Sequence, residues 1–349
     1  MSLPEKRQPP RHGERRHNAP GHLARKPVNL ATLGLFALAA IGAVHLKYPQ
    51  QSLAKAPFAP FLGGMAPTVR ASATAFGASG EVKVRFAMPG ESLEYPLEVE
   101  GDPTHLSYSW VRAGDTALVS EPRPLVGPDL DVPDRAGFYR LALVTGASQQ
   151  VLEELSVAVL VPFHAKVGPI LNGYRIGTYG ADRFGERKNP EGFLEITARD
   201  LELQVTRHLR VADFVTHDRQ QTWPKYAAVS PRLLDKIELV VAEIARWQGR
   251  ESVSVMVDVK SGFRSPDHNR RVARAASDSR HQYGDAADIA IDADGDGRLT
   301  RTDTRLVGLA VEIVEGRHPE LVGGLGIYLR TRTPYVHIDA RGKRVRWRG

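Results

Sequence analysis

The chain has no cysteine among its 349 residues. A disulfide framework and a thiolate metal site are therefore both excluded. The protein tolerates an oxidising compartment without depending on one. It also lacks evenly spread positive charge. The net charge is +7, but residues 1–27 and residues 341–349 each carry +5, so everything between them is slightly acidic. This is not the uniform basic surface of a nucleic-acid binder, and no nucleic-acid partner is expected. The bulk composition, 42% apolar and 25% charged, is that of folded domains, and the length allows two domains plus extra segments.

Residues 1–27 are polar, rich in Pro and Arg, and have no apolar period, which predicts a disordered basic tail. Residues 28–46 then run without an acidic or basic side chain other than His45, through Leu33, Leu35, Phe36, Leu38 and Ile41. Nineteen residues approach the roughly 20 that span a bilayer. The basic tail before this run and the lone Lys47 after it orient the N-terminus to the cytoplasm. The expectation is an uncleaved, single-pass anchor in a bacterial inner membrane, with the rest of the chain in the periplasm. The alternative is a signal peptide cut after Ala39 or Ala43. Residues 47–67 carry Pro49, Pro57, Pro60 and Pro67 among small residues, the composition of a stand-off linker.

Residues 68–162 show short apolar alternations between turn signals. Examples are Val82/Val84/Phe86, Leu93/Tyr95/Leu97/Val99, Leu106/Tyr108/Trp110 and Leu155/Val157/Val159. This period-2 pattern predicts an all-β sandwich. Asp134-Arg-Ala-Gly137-Phe-Tyr139 resembles the tyrosine corner of immunoglobulin-like domains, with Trp110 as core tryptophan. The module reads as a spacer.

Residues 163–349 mix both periods, which predicts an α+β domain with a small antiparallel sheet flanked by helices. Ser230-Pro231 starts a helix whose apolar stripe runs from Leu233 to Trp247, and Gly249 ends it. Val253, Val255, Val257 and Val259 alternate as a strand. Leu306, Leu309, Ala310, Ile313 and Val314 mark one face of a second long helix.

The stretch Ser279–Gly297 holds two candidate metal sites. Asp288 and Asp292 alternate with Ile289 and Ile291, so the carboxylates share one face of a strand. Tyr335, His337 and Asp339 alternate in the same way with Val336 and Ile338. Two neighbouring strands would thus present Asp288 and His337 to one ion, with His281 entering from the preceding loop, where Gly284 lets the backbone turn. Two His and one Asp form the open three-ligand set of catalytic zinc, which leaves one position for a water whose pKa falls to about 7. Immediately downstream, Asp292, Asp294 and Asp296, Gly297 and Asp303 fit positions 1, 3, 5, 6 and 12 of an EF-hand calcium loop over residues 292–303. Position 12 is Asp instead of the usual Glu. The expected Ca²⁺ is structural. His208, His217, His268 and His318 read as surface or helix residues.

In chain order, Ser261-Gly-Phe-Arg-Ser-Pro266, Ser279-Arg-His-Gln-Tyr-Gly-Asp-Ala-Ala-Asp288, Gly323-Gly-Leu-Gly-Ile-Tyr328 and Val336-His-Ile-Asp339 resemble the zinc D-Ala-D-Ala carboxypeptidase family. That family belongs to a group with lysostaphin-type peptidases and the hedgehog fold. The resemblance covers about residues 165–349. It implies a zinc peptidase acting on peptidoglycan stem peptides, as a D,D-carboxypeptidase or an endopeptidase. It implies that Arg264 binds a substrate carboxylate, and it places Ser279 beside His281 as an orienting residue. The family's usual base positions hold Tyr335 and Pro334 here. Asp339 is left to orient His337 or to act on the water, and Tyr335 to donate to the oxyanion. The competing expectation is a non-hydrolytic wall-binding or scaffold protein that keeps the metallopeptidase fold.

Overall fold

Strands and helices follow the two periodicities closely in the computed structural model, which describes residues 68–71, 76–100, 103–180 and 189–349. The expected tail, anchor and linker at residues 1–67 lie outside the described residues. Among the described residues no helix is long and apolar enough to cross a membrane.

The first half of the described chain is all β. Its main sheet has the order β2 (Val84–Ala87), β10 (Ser156–Val159), β8 (Gly137–Thr145), β5 (Ser107–Arg112), β6 (Arg123–Pro124), with β9 (Ser148–Val151) paired to β8. Two separate ladders join β3 (Ser92–Glu94) to β7 (Asp129–Asp131) and β1 (Thr68–Ala71) to β4 (Leu97–Glu100). β2 runs parallel to β10, while the neighbouring pairs are antiparallel. Trp110 is buried, with its indole N–H donating to the Asp131 carbonyl at 2.8 Å. Tyr139, also buried, donates its hydroxyl to the Arg135 carbonyl at 2.9 Å. Both side chains thus bury their rings while satisfying their polar ends.

The second half is α+β. After the short strands β11 (Val161–Pro162), β12 (Ile170–Leu171), β13 (Tyr174–Arg175), β14 (Gly192–Ile196) and β15 (Lys225–Ala227) comes the helix α1 (Pro231–Gln248). Pro231 stands at its first turn and Gly249 closes it in the left-handed conformation, as the sequence requires. A five-stranded sheet follows, ordered β16 (Val257–Ser261), β17 (Ala286–Ile291), β19 (Tyr335–Asp339), β18 (Gly324–Tyr328), β20 (Val345–Arg348). The last pair is parallel, so the sheet is mixed and not wholly antiparallel. The strand expected from Val253 begins only at Val257, because residues 252–254 form a 3₁₀ turn.

The sheet sorts its side chains sharply. Ile289, Ile291, Leu325, Val336 and Ile338 join one hydrophobic core with the buried stripe of α1 and with α3 (Arg301–Arg317), which follows the short helix α2 (Pro266–Asn269). The inward face of α3 is Val307, Ala310, Val311 and Val314, and Leu309 is 53% exposed. The face is therefore rotated about one position from the expected stripe, because Val307 and Val311, four residues apart, meet the sheet in place of Leu309 and Ile313. The opposite face of the sheet carries the candidate site.

The two halves interlock through residues 205–208. Val82 bridges to Thr206, Lys83 N–H donates to the Val205 carbonyl at 2.9 Å, and Arg207 N–H donates to the Glu81 carbonyl at 3.1 Å. Asp235 on α1 accepts from the backbone N–H groups of Ala78 and Ser79, both at 2.8 Å. His208, expected at the surface, has a buried side chain. Its Nδ1 meets a Glu238 carboxylate oxygen at 2.7 Å and its Nε2 meets the Ser252 carbonyl at 2.8 Å. Two acceptors call for two ring protons, so this His is held as the cation. Burial works against that charge, but the bonds to Glu238 and Ser252 outweigh it and raise the pKa above 6.5. A raised folded-state pKa stabilises fully below the unfolded value of about 6.5 and is lost as pH rises through the folded value. The melting temperature should therefore decline as pH rises above 6.5, and His208→Gln should flatten that slope. An unchanged slope in the variant would refute the linkage.

Candidate metal centre

His281 sits in a 3₁₀ turn (Arg280–Tyr283) that ends at Gly284, where φ is +74°. A Cβ at residue 284 would press into the Ala228 carbonyl, so this tight corner requires glycine. Asp288 on β17 and His337 on β19 are direct cross-strand partners. The sheet register extends this pairing into one row across all five strands: Ser261, Asp288, His337, Gly326 and Trp347. Directly opposed residues in a pleated sheet share a face, so the row is the floor of the site.

His281, Asp288 and His337 are all buried and converge. His281 Nε2 lies 3.2 Å from Asp288 Oδ1 and 3.1 Å from His337 Nδ1, and His337 Nδ1 lies 3.0 Å from Asp288 Oδ1. The outer bonds fix the tautomers. His281 Nδ1 faces the Gly262 carbonyl at 2.7 Å, an acceptor only, so the proton sits on Nδ1 and the Nε2 lone pair points inward. His337 Nε2 faces the Asp339 carboxylate at 3.2 Å, so its Nδ1 lone pair points inward too. Two nitrogen lone pairs and one carboxylate oxygen therefore aim at one centre. The edges of this triangle are close to the about 3.3 Å expected between ligands of a tetrahedral zinc. The donor set fits a divalent cation.

Electrostatics separate the two histidines. Burial lowers the pKa of His281 despite the bond to Asp288, which favours the neutral ring that a metal needs. Burial also opposes charge on His337, but Asp288 and Asp339 outweigh it and raise its pKa. Asp288 is held far below the ordinary carboxylate range: with protons turned toward it, the two histidines would outweigh the cost of burial. Its second oxygen accepts from Arg264, whose Nε donates to Ser261 Oγ at 2.7 Å. Arg264 is thus placed on a ligand carboxylate, one step from the centre.

Asp339 sits behind His337 in a dense set of bonds. Its side chain is fully buried. One oxygen accepts from His337, and the other from the Gly324 N–H at 2.7 Å. The Arg341 guanidinium spans both, with Nε at 2.9 Å from each. These bonds outweigh burial and keep the carboxyl ionised well below its usual range. These bonds place Asp339 to orient His337. Tyr335 lies on the same face, half-buried, with its phenol pushed up to about 12 by burial and by Asp288, so it remains a donor. Ser279 precedes the turn of His281 and meets it by backbone, its carbonyl accepting from Gln282 N–H at 3.1 Å. The group that holds the His281 ring is Gly262, inside Ser261-Gly-Phe-Arg264. Sequence reading did not single it out, although a glycine beside Arg264 marks close backbone approach, here to Asp213 and Phe214.

Of the expected calcium ligands, Asp292, Asp294 and Asp296 come together. Asp303 stands outside that cluster. One of its oxygens accepts from the N–H groups of Ala293 and Asp294, the other from the Thr300 N–H and hydroxyl, forming the capping box of α3.

With the geometry in place, the chain can be set beside known proteins. Residues 209–308 match the family model Peptidase M15. The match covers this segment of the chain alone. It includes Arg264, His281 and Asp288, while His337 lies beyond the matched residues and joins them through the β17–β19 pairing. No curated protein matches the chain. Among solved structures, the L-Ala D-Glu endopeptidase ChiX of Serratia marcescens is 22% identical, over 32% of this chain and 80% of its own, with a TM-score of 0.23. So slight a likeness supports no further step.

The role of Asp339 is testable through the metal alone. Asp339→Asn has one acceptor oxygen in place of two, so it cannot accept from His337 and from the Gly324 N–H together. Zinc affinity of the folded variant, measured by competition with a chromogenic chelator, should fall roughly 10–100-fold. Wild-type affinity would exclude the orienting role.

Proposed function

We propose that this M15-type peptidase domain is zinc-dependent and hydrolyses peptide bonds in the stem peptides of peptidoglycan. The observation that carries this reading is the triangle of His281 Nε2, Asp288 Oδ1 and His337 Nδ1, three inward lone pairs within 3.2 Å of each other. A zinc ion there would supply Lewis acidity and a water of pKa about 7. The chain's own residues do the rest. Arg264 holds Asp288 in the orientation that offers Oδ1 to the centre, and its guanidinium is the group offered to a substrate carboxylate. Tyr335, protonated at neutral pH, donates to the oxygen on which negative charge develops. Asp339 locks the His337 tautomer.

One observation favours the alternative of a non-hydrolytic wall-binding protein: the carboxylate best placed as a proton acceptor, Asp339, is committed to His337, Arg341 and Gly324. A single experiment separates the readings. Purified protein is incubated with muropeptides, and the products are read by mass. Cleavage that a chelator abolishes, zinc restores and His337→Ala lacks establishes the peptidase. The mass lost, a terminal D-Ala or a longer fragment, separates carboxypeptidase from endopeptidase action. Metal binding without cleavage would establish the scaffold.

We also propose that residues 28–46 anchor the protein in the inner membrane, with the domain in the periplasm. Support comes from the uncharged run and the basic residues before it. N-terminal sequencing of membrane-extracted protein should find the start of the chain intact. A mature terminus between residues 38 and 50 would show a cleaved signal peptide.

A further inference from the structure

Two strands from His337 lies the last strand of the sheet. β20 lies parallel to β18 and places Trp347 opposite Gly326, which is itself opposite His337. Trp347 therefore belongs to the same row as the metal ligands, two strands away from His337. An ordinary side chain at residue 326 would stand between them. Glycine leaves that space open, and the indole lies across it: a Cβ on Gly326 would come within 2.7 Å of Trp347 Cζ2. The indole thereby reaches the imidazole of His337, with ring centroids 5.0 Å apart and planes inclined at 50°.

The indole is itself held. Its Nε1–H donates to the Tyr328 hydroxyl at 2.9 Å, and Tyr328 stacks on Tyr335 with centroids 4.7 Å apart and planes at 11°. On its other flank the Arg341 guanidinium lies 5.9 Å from the ring centroid while its nitrogens grip Asp339. His337 is thus constrained twice: Asp339 fixes the direction of its Nε2–H bond, and Trp347 packs against the ring. A hydrogen bond alone leaves the imidazole free to swing about that bond, whereas packing against the ring closes the swing. The Nδ1 lone pair can then stay on the point at which His281 and Asp288 aim.

We propose that Trp347 is a positioning residue of the metal centre, acting through His337, and that Gly326 is kept small to admit it. The proposal rests on the metal-binding reading of the triad and not on the identity of the substrate, so it survives if the peptidase reading fails.

The test measures metal, not turnover. Zinc dissociation constants are determined by chelator competition on folded protein, well below each variant's melting temperature, and Co²⁺-loaded protein is examined by its visible absorption. Trp347→Ala should weaken zinc about 10-fold or more, the scale on which partners that orient ligands act. It should also alter the Co²⁺ bands, which report ligand geometry. Trp347→Phe, which keeps a ring in the space, should recover most of the affinity. Gly326→Ala, which keeps the indole but displaces it, should weaken zinc in the same direction. If Trp347→Ala does not fold, Tyr328→Phe removes only the hydroxyl that holds Nε1, and it should still shift the Co²⁺ bands. A purely structural Trp347 predicts a different pattern: lower melting temperatures with wild-type zinc affinity and an unaltered Co²⁺ spectrum. That pattern would overturn the proposal.

Discussion

Three lone pairs directed at one point repel each other unless a cation lies among them. The centre formed by His281, Asp288 and His337 is organised by that constraint. Each ligand has its outward atom tied to a group that fixes its orientation: Gly262 for His281, Arg264 for Asp288, Asp339 for His337. Removing any of these ties frees a ligand to turn its lone pair away and relieve the repulsion without a metal. Such outer bonds typically count for roughly 10–100-fold in the affinity of a metal site.

The same site sets what the backbone around it has to be. Gly323 and Gly324 lie beneath Asp339, and a Cβ on either would collide with it. Gly326 lies beneath Trp347. Gly324 and Gly326 thus omit side chains on the site face of β18, while Leu325 still enters the core on the other. Behind this strand, the buried Lys236 of α1 donates to Glu315 of α3 at 2.6 Å and to the Asp339 carbonyl at 2.7 Å. Glu315 also accepts from Gly323 N–H at 3.1 Å and from Arg346. Two acceptors, one of them the Glu315 carboxylate, offset in part the burial that pulls the Lys236 pKa down. Lys236 ties both long helices to the end of the ligand strand.

Much of this was legible in the sequence, for a definable reason. A strand with one face in a core alternates strictly, so Asp288 against Ile289 and His337 against Ile338 disclosed both faces. Capping chemistry marked the start and end of α1. What escaped was whatever depends on pairing between distant strands. β20 carries Trp347, but nothing local says that it will lie beside β18, so neither the indole nor Arg341 could be assigned to the centre. The binding of the His281 ring by a backbone carbonyl leaves no side-chain signature at all. Leu309 was misplaced because one apolar residue more or less shifts a helical stripe by a fraction of a turn. His208 was misread because a buried ion pair looks, in sequence, like any polar loop.

The alternation along β19 has a consequence for how this protein can vary in length. Tyr335, His337 and Asp339 face the site, and Val336 and Ile338 face the core. Losing or gaining one residue inside the strand would exchange the two sets, driving an imidazole and a carboxylate under the helices and leaving aliphatic groups at the candidate metal centre. Such a change would abolish folding and chemistry together. Residues 330–332, exposed in the connection between β18 and β19, can absorb insertions without moving the register. Related chains should therefore differ in length at that turn and keep the five residues after it in step.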